Sequence, residues 1–536
     1  MTLANVRPRA DLLRRPRTTI VLSALVIEAA WLSFWPAVYL SDSAQAPSRL
    51  GEVVLGRYPA LGTILWTLKA IVDELFPGVL WSGEEVVAFL FHCVIVAFAA
   101  YALAAWRIVA GPTIGLRWII APLLIFQVTL VLIPASMTTD IFNYALYGEM
   151  PVLYGANPFV STPAEFPQSP LYYLVPLYWH DAPSVYGPLW VAISTGVASI
   201  FRSLSLADEL LFYRAIANVA HLGNTFLVWA LAQRIGPGRA SSAALAYGWN
   251  PLALLEFAFN GHNDVLMLTF VLAAFLAATR RRILTAAFLI GCSVATKYTT
   301  VLVAPVVLVW GAFRVAATRP PWGARLGTFA LGGFLVAVVP AVLYAPWFEG
   351  VRTFGPVLHW ISGPVRNNYW PEPMLIGLAR WIAGAVQIPY EPAWEWVFNA
   401  SKLLAKVGLA TFIAIEAYRA RTILAVLAAS TRVTLVFLLV VTTWVMPWYY
   451  IWALAMCAAL GWTSMLVRIC AGLTLTAMVA MYQRQLGHAV VGDWAGFLVL
   501  PIALALIPVV ARLWVGHWRP RRWANVLRSP GSARPG

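Results

Sequence analysis

Residues 185–204 read VYGPLWVAISTGVASIFRSL, and whether they cross a membrane decides how the rest of the chain is threaded. The 536-residue chain is 61% hydrophobic and only 11% charged, whereas a soluble chain carries roughly 25% charged residues. Apolar runs of about 18 residues or more recur along its length, the pattern of a polytopic helical membrane protein. The net charge of +15 does not point to nucleic acid, because the arginines come in short clusters between apolar runs. Such clusters mark inward-facing loops. The four cysteines, Cys93, Cys292, Cys457 and Cys470, lie in or near apolar segments with no C-x-x-C or Cys/His pattern, and read as buried small hydrophobes.

If 185–204 spanned the bilayer, the arginine loops beyond it, Arg234/Arg239 and Arg280–Arg282, would fall on the wrong side. Parity holds if this stretch lies along the outer surface as an interfacial or re-entrant helix. The chain then reads as an all-α polytopic integral membrane protein with roughly fourteen transmembrane helices and both termini inside. Residues 1–18 form a cytoplasmic basic tail and 19–117 an N-terminal transmembrane hairpin. Residues 118–346 form the central transmembrane module, with an outer loop at 137–210, and 347–395 form a second outer loop. Further transmembrane helices occupy 396–516, and 517–536 is a second basic tail. The N-terminus reads as a first spanning helix rather than a removed signal peptide. Of the acidic residues, only Asp11 and Glu416 sit clearly inside, and Glu28 lies within the first helix. Nearly all the others, among them Asp140, Glu149, Asp181 and Asp264, are at or near the outer face. Polar chemistry is therefore expected there.

The stretch TTDIFNYALYGEM, 138–150, places Asp140, Asn143, Tyr144 and Tyr147 at i, i+3, i+4 and i+7. Ile141, Phe142, Ala145 and Leu146 take the opposite side. This spacing predicts a short amphipathic surface helix, capped by Thr138 or Thr139 and ended by Gly148. A plain interfacial anchor, with Asp140 favouring the positive helix end, would look the same.

Further stretches narrow the reading. Asn157-Pro158-Phe159 follows as a turn, and Tyr186-Gly187-Pro188 opens the surface helix. Arg214 lies in FYRAIANVA. Then come NPLALLEFAFNGHNDVLML (250–268), ATKYTTVLVAP (295–305), APW (345–347) and MPWYYIW (446–452). In order and side these resemble polyprenol-phosphate-sugar-dependent glycosyltransferases of the GT-C superfamily. Within it, the pattern is most similar to the bacterial, actinobacterial-type α-1,6-mannopyranosyltransferases. The resemblance covers most of the chain after residue 118; the hairpin at 19–106 falls outside it.

The resemblance implies a GT-C-type fold and an inverting transfer of a sugar, mannose first, from a polyprenyl-phosphate donor. The acceptor would be a glycolipid or polysaccharide at the extracytoplasmic face of the plasma membrane. An acceptor hydroxyl must lose its proton as it attacks, so a carboxylate serves as base, and Asp140 is the candidate. A phosphate leaving group needs fixed positive charge instead of a general acid. Lys297, between two apolar half-spans where a charge is costly, is the leading cation, with Arg214 and Arg366 after it. Tyr144, Tyr147, Asn157, Tyr186, Trp448 and Tyr449 are candidates for the sugar or acceptor, though interfacial belts also use Trp and Tyr. His262 and Asp264 flank Asn263, and the stretch is either a capping Asn/Asp pair that starts a helix or a set of groups that act on the substrate. Their functional options are acceptor binding, orientation of the base, or a divalent cation held against the phosphate. No cofactor is otherwise implied. A transporter or flippase of lipid-linked sugars is the competing class; those show paired halves with broken helices, and no internal repeat is found here.

Overall fold

The structure is a computed structural model that describes residues 16–35, 47–75, 83–110, 114–201, 203–313, 321–362, 372–442 and 445–490. Among them every regular element is helical. The N-terminal helices are α1 (Pro16–Leu32), α2 (Pro47–Arg57), α3 (Pro59–Leu75), α4 (Gly83–Ala110) and α5 (Arg117–Leu132). The central elements are α6 (Asp140–Leu153), α7 (Pro188–Phe201), α8 (Leu206–Ile235), α9 (Ala240–Gly248), a helical segment Pro251–Phe259 and α10 (Asp264–Thr279). After them come α11 (Ile283–Thr296), α12 (Ala304–Phe313), α13 (Trp322–Tyr344), α14 (Gly355–Ser362) and α15 (Glu372–Val386). The last are α16 (Tyr390–Arg419), α17 (Ile423–Val436), α18 (Tyr450–Ala458) and α19 (Met465–Val490).

Five of the described helices are long and apolar enough to cross a membrane, or up to six if the bent pair Pro251–Phe259 and Asp264–Thr279 is one span. The expectation of roughly fourteen spans rested on apolar length, and several of those runs are broken. The run at 240–258 is interrupted at Trp249 and Asn250, where Pro251 opens a new helical segment capped by the Asn250 side chain. At Lys297 the backbone turns extended, dividing α11 from the 3₁₀ turn Tyr298–Val303 that leads into α12. The stretch 347–395, expected as a loop, carries α14, α15 and the start of α16.

Two cores hold the bundle. The larger joins α1, α4, α5, α9, the segment Pro251–Phe259, α10, α11, α17, α18 and α19. Tyr101 of α4 donates to the Ala246 carbonyl of α9 at 2.7 Å and meets the Trp462 ring edge-on at 5.4 Å. The N-terminal helices are thereby tied to the C-terminal ones. The smaller core is aromatic: Tyr144, Tyr147, Tyr186, Trp190 and Tyr213 from α6, α7, α8 and the loop before α7. Tyr144 lies 4.9 Å from the Tyr186 ring and 5.0 Å from that of Trp190, both edge-on, the arrangement that ring quadrupoles favour.

α7, at 14 residues, is about 21 Å long, too short by itself for the hydrocarbon core of about 30 Å. It buries Trp190, Val191, Ser194, Val197 and Ala198 and leaves Ile200 exposed. Its buried stripe packs on α6, and here two expectations for α6 are corrected. The helix does not end at Gly148 but continues to Leu153, and it is not half-solvated, because Ile141 through Gly148 are all buried. Gly148 is the point where the backbone of α7 passes: a Cβ there would strike the Ser194 carbonyl group. Neither threonine caps the helix through its side chain. Thr139 occupies the N-cap position without a cap hydrogen bond, and Thr138 Oγ1 is buried without a partner.

Gly187 is the second close approach. Its N–H donates to the Thr296 carbonyl at 3.1 Å, and a Cβ would collide with the Ala295 carbonyl. The turn ahead of α7 is thus clamped to the end of α11, next to Lys297.

Candidate active site

Asp140, Glu256, His262, Asp264 and Lys297 gather where α6, the segment Pro251–Phe259, α10 and the break after α11 meet. Asp140 opens α6, and its Oδ2 lies 3.4 Å from His262 Nδ1. The other ring nitrogen, Nε2, lies 3.1 Å from Glu256 Oε2. Both are charge contacts without aligned hydrogen-bond geometry. The His262 ring stacks on Trp448 at 4.0 Å between centroids. Asp264 Oδ1 accepts from Lys297 Nζ at 2.7 Å and from Trp452 Nε1 at 2.7 Å. The Lys297 ammonium sits 4.6 Å from the Tyr449 ring centroid and 5.1 Å from that of Trp452, within cation–π range.

The three carboxylates differ in access. The Asp140 side chain is 23% exposed, that of Asp264 1% and that of Glu256 0%. Glu149, further along α6, accepts from Ser169 Oγ at 2.9 Å, and burial holds its carboxyl above the usual carboxylate range. Burial first, and then the Asp140 charge, push the phenols of Tyr147 and Tyr186 up, so both stay un-ionised.

Backbone links hold the cluster together. Asn260 Oδ1 accepts from the Met137 N–H at 2.9 Å, and Asn260 Nδ2 donates to Glu256 Oε2 at 2.9 Å. The Tyr144 hydroxyl meets Asn263, whose N–H lies 3.3 Å away. The segment before Asp140 and the turn before Asp264, more than a hundred residues apart, are therefore one unit.

Other expected site residues are engaged elsewhere. Arg214, expected at the donor phosphate, is fully buried, and its guanidinium donates to the carbonyls of Val131, Ile133 and Ala135 at the end of α5. Those carbonyls lack partners within the helix, and a cation is favoured at a helix C-terminus. We therefore expect Arg214→Met to lower thermal stability, by about 1–3 kcal/mol for each buried carbonyl left unpaired, with donor binding per folded molecule unchanged. Thermal denaturation in detergent beside a donor-binding assay checks this.

Asn157, expected at the sugar, instead joins the loop after α6 to the end of α13: its Nδ2 donates to the Trp347 carbonyl at 2.6 Å and to Glu349 Oε1 at 3.0 Å. Tyr147 donates to the Ala182 carbonyl at 2.8 Å. The carbonyl of Tyr186 accepts from the Tyr298 hydroxyl at 3.1 Å, and its ring is buried. Tyr144 and Trp448 are buried as well, whereas Tyr449 is partly exposed. Arg366 lies outside the described residues. Against Asp264, where a divalent cation was one option, the Lys297 ammonium already stands. Among the described residues, no group of three or more His, Cys, Asp or Glu side chains is arranged to hold a metal ion.

Sequence reasoning passed over Glu256, Asn260 and Trp452 as site residues, and gave Asn263 a helix-capping part alone. Glu256 did carry a signal, since an acid inside an apolar run is costly unless it has a partner. Trp452 carried none, because its indole N–H meets Asp264 across 188 residues of sequence.

The fold and cluster define an all-helical membrane protein with charged groups gathered at the junction of broken helices. Residues 58–313 match the family model for the Alpha-(1->6)-mannopyranosyltransferase, N-terminal domain, the family that the motifs resemble. Alpha-(1->6)-mannopyranosyltransferase A of Mycobacterium tuberculosis is 25% identical over 373 residues, 67% of this chain and 68% of that protein. Alpha-(1->6)-mannopyranosyltransferase B of Corynebacterium glutamicum is 30% identical over 139 residues, 25% of this chain and 22% of that protein. A Mycolicibacterium smegmatis relative is 28% identical over 184 residues, 32% of this chain and 31% of its own length. Apart from the M. tuberculosis protein, these matches thus span less than a third of the relatives' lengths. No solved structure matches the chain.

Proposed function

We propose that this chain is a membrane mannosyltransferase. It moves mannose from a polyprenyl-phosphate donor to an acceptor hydroxyl of a glycolipid or polysaccharide, with inversion, at the extracytoplasmic face of the plasma membrane. Its helices and its loop after α5 then form a GT-C-type fold. The carrying observation is the 23% exposure of Asp140 in a cluster whose other carboxylates are sealed. The relatives' printed names support the sugar, and their α-(1→6) linkage points to a primary hydroxyl as nucleophile.

In this reading the acceptor hydroxyl gives its proton to Asp140 as its oxygen bonds to the anomeric carbon. On the opposite face the bond from that carbon to the phosphate oxygen breaks, and its electron pair leaves with the polyprenyl phosphate. Lys297 meets the charge that develops there. Its ammonium has three donors, one of which Asp264 takes. The partly exposed Tyr449 ring beside it offers a face for the sugar.

The test is purified protein with a panel of polyprenyl-phosphate-linked mannose, arabinofuranose and glucose and an oligomannoside acceptor, read by mass spectrometry. We expect one hexose added from the mannose donor alone. Transfer only from another sugar, or movement of the lipid-linked sugar across vesicles without a glycosidic product, would overturn the reading.

A further inference from the structure

We propose that Glu256 and His262 are a buried positioning pair that holds the Asp140 carboxylate for proton abstraction; this rests on the base assignment above. Glu256 lies in an apolar run, LLEFAF, which forms the π turn Leu254–Phe259. A π turn inserts a residue into the helical repeat, and such turns gather at functional sites. Glu256 is wholly buried, and Asn260 and His262 are the polar side chains on its Oε2. A carboxylate in such a place is tolerated only when paired.

His262 is that partner. It is also wholly buried, with its ring and its backbone each held by a neighbour. Its ring lies flat on Trp448, and its backbone N–H donates to the Glu256 carbonyl at 3.0 Å. With Glu256 against Nε2, the remaining nitrogen lies 3.4 Å from Asp140 Oδ2, a charge contact. In the proposed role that contact engages one carboxylate oxygen and leaves Oδ1 for the acceptor hydroxyl. The arrangement follows the logic by which a buried acid orients a histidine in hydrolases, but here the histidine orients the base and keeps its own protons. The Lys297–Asp264 pair belongs to the same cluster but has its own partners, Trp452 and Tyr449.

A pair that acts only through Asp140 loses its effect when Asp140 cannot take a proton. The experiment is a double-mutant cycle on the full-length protein in detergent, using polyprenyl-phosphate mannose and an oligomannoside. His262→Gln and Glu256→Gln should each lower kcat, by up to about 10²-fold for a misplaced base, with KM for donor and acceptor within about twofold. Each, added to Asp140→Asn, should cost nothing further. Additive losses in kcat, or losses carried by KM, would overturn the positioning role. If His262→Gln fails to fold, the isosteric Glu256→Gln cycle decides the matter, with thermal denaturation confirming its fold. Full activity of Asp140→Asn alone would instead defeat the base assignment, so the two failures are distinguishable.

Discussion

Asp140→Asn should keep the fold and the donor site and lose about 10²–10⁴-fold in turnover, the usual consequence of removing a general base. The amide has the same size and still accepts a hydrogen bond, but it cannot take up a proton at neutral pH. If Asp140 were only a charge at the start of α6, the same change would cost about 0.3–1 kcal/mol of stability and leave chemistry intact. Single-turnover rates beside a donor-binding isotherm separate the two readings by orders of magnitude. The rivals are weaker on geometry, because Asp264 is sealed by Lys297 and Trp452 and the half-buried Glu149 is engaged by Ser169, away from His262 and Lys297. An active Asp140→Asn with an inactive Asp264→Asn would nonetheless move the base to α10.

Lys297→Ala should impair use of the lipid donor about 10–100-fold in kcat/KM, because a hydrogen bond to a charged group is worth about 1.5–3 kcal/mol. Lys297→Arg, which keeps the charge, should lose less. The structure adds a complication. Without its ammonium the nearly fully buried Asp264 carboxylate would be left with Trp452 alone, so Lys297→Ala should also be less stable. Combining Lys297→Ala with Asp264→Asn removes the unpaired charge; the double variant should regain stability and still bind donor poorly. Donor binding equal to wild type in either variant would remove Lys297 from the phosphate site.

Much of the candidate site was legible along the chain because a charge in an apolar run is costly. Asp140, Lys297, His262 and Asp264 stood out as polar groups at the ends or breaks of apolar runs, and the structure brings all four into one cluster. Lys297 as a break between half-spans reappears as the extended residue between α11 and the following 3₁₀ turn. The tyrosines were harder. Tyr144 and Tyr147 share a helical face with Asp140, as periodicity indicates, but periodicity alone does not say what covers that face. α7 and the loop before it do, and they convert a presumed sugar platform into a packed aromatic core.

Arg214 shows the same limit more sharply. An isolated arginine far from the other basic clusters looks like a ligand for phosphate, because the alternative partners are main-chain carbonyls that carry no residue identity. Asn157 was likewise read as a contact for substrate and is a tie to the Trp347 carbonyl. Composition and hydropathy by themselves determined that the chain is helical and lies in a membrane, since apolar runs long enough to span as helices must satisfy their polar backbone internally. Which charges neutralise one another was decided only by tertiary structure. Partner choice depends on distances of about 3–4 Å between segments far apart in sequence, and the Glu256–His262–Asp140 line exists because a π turn and a tight turn bring those side chains together.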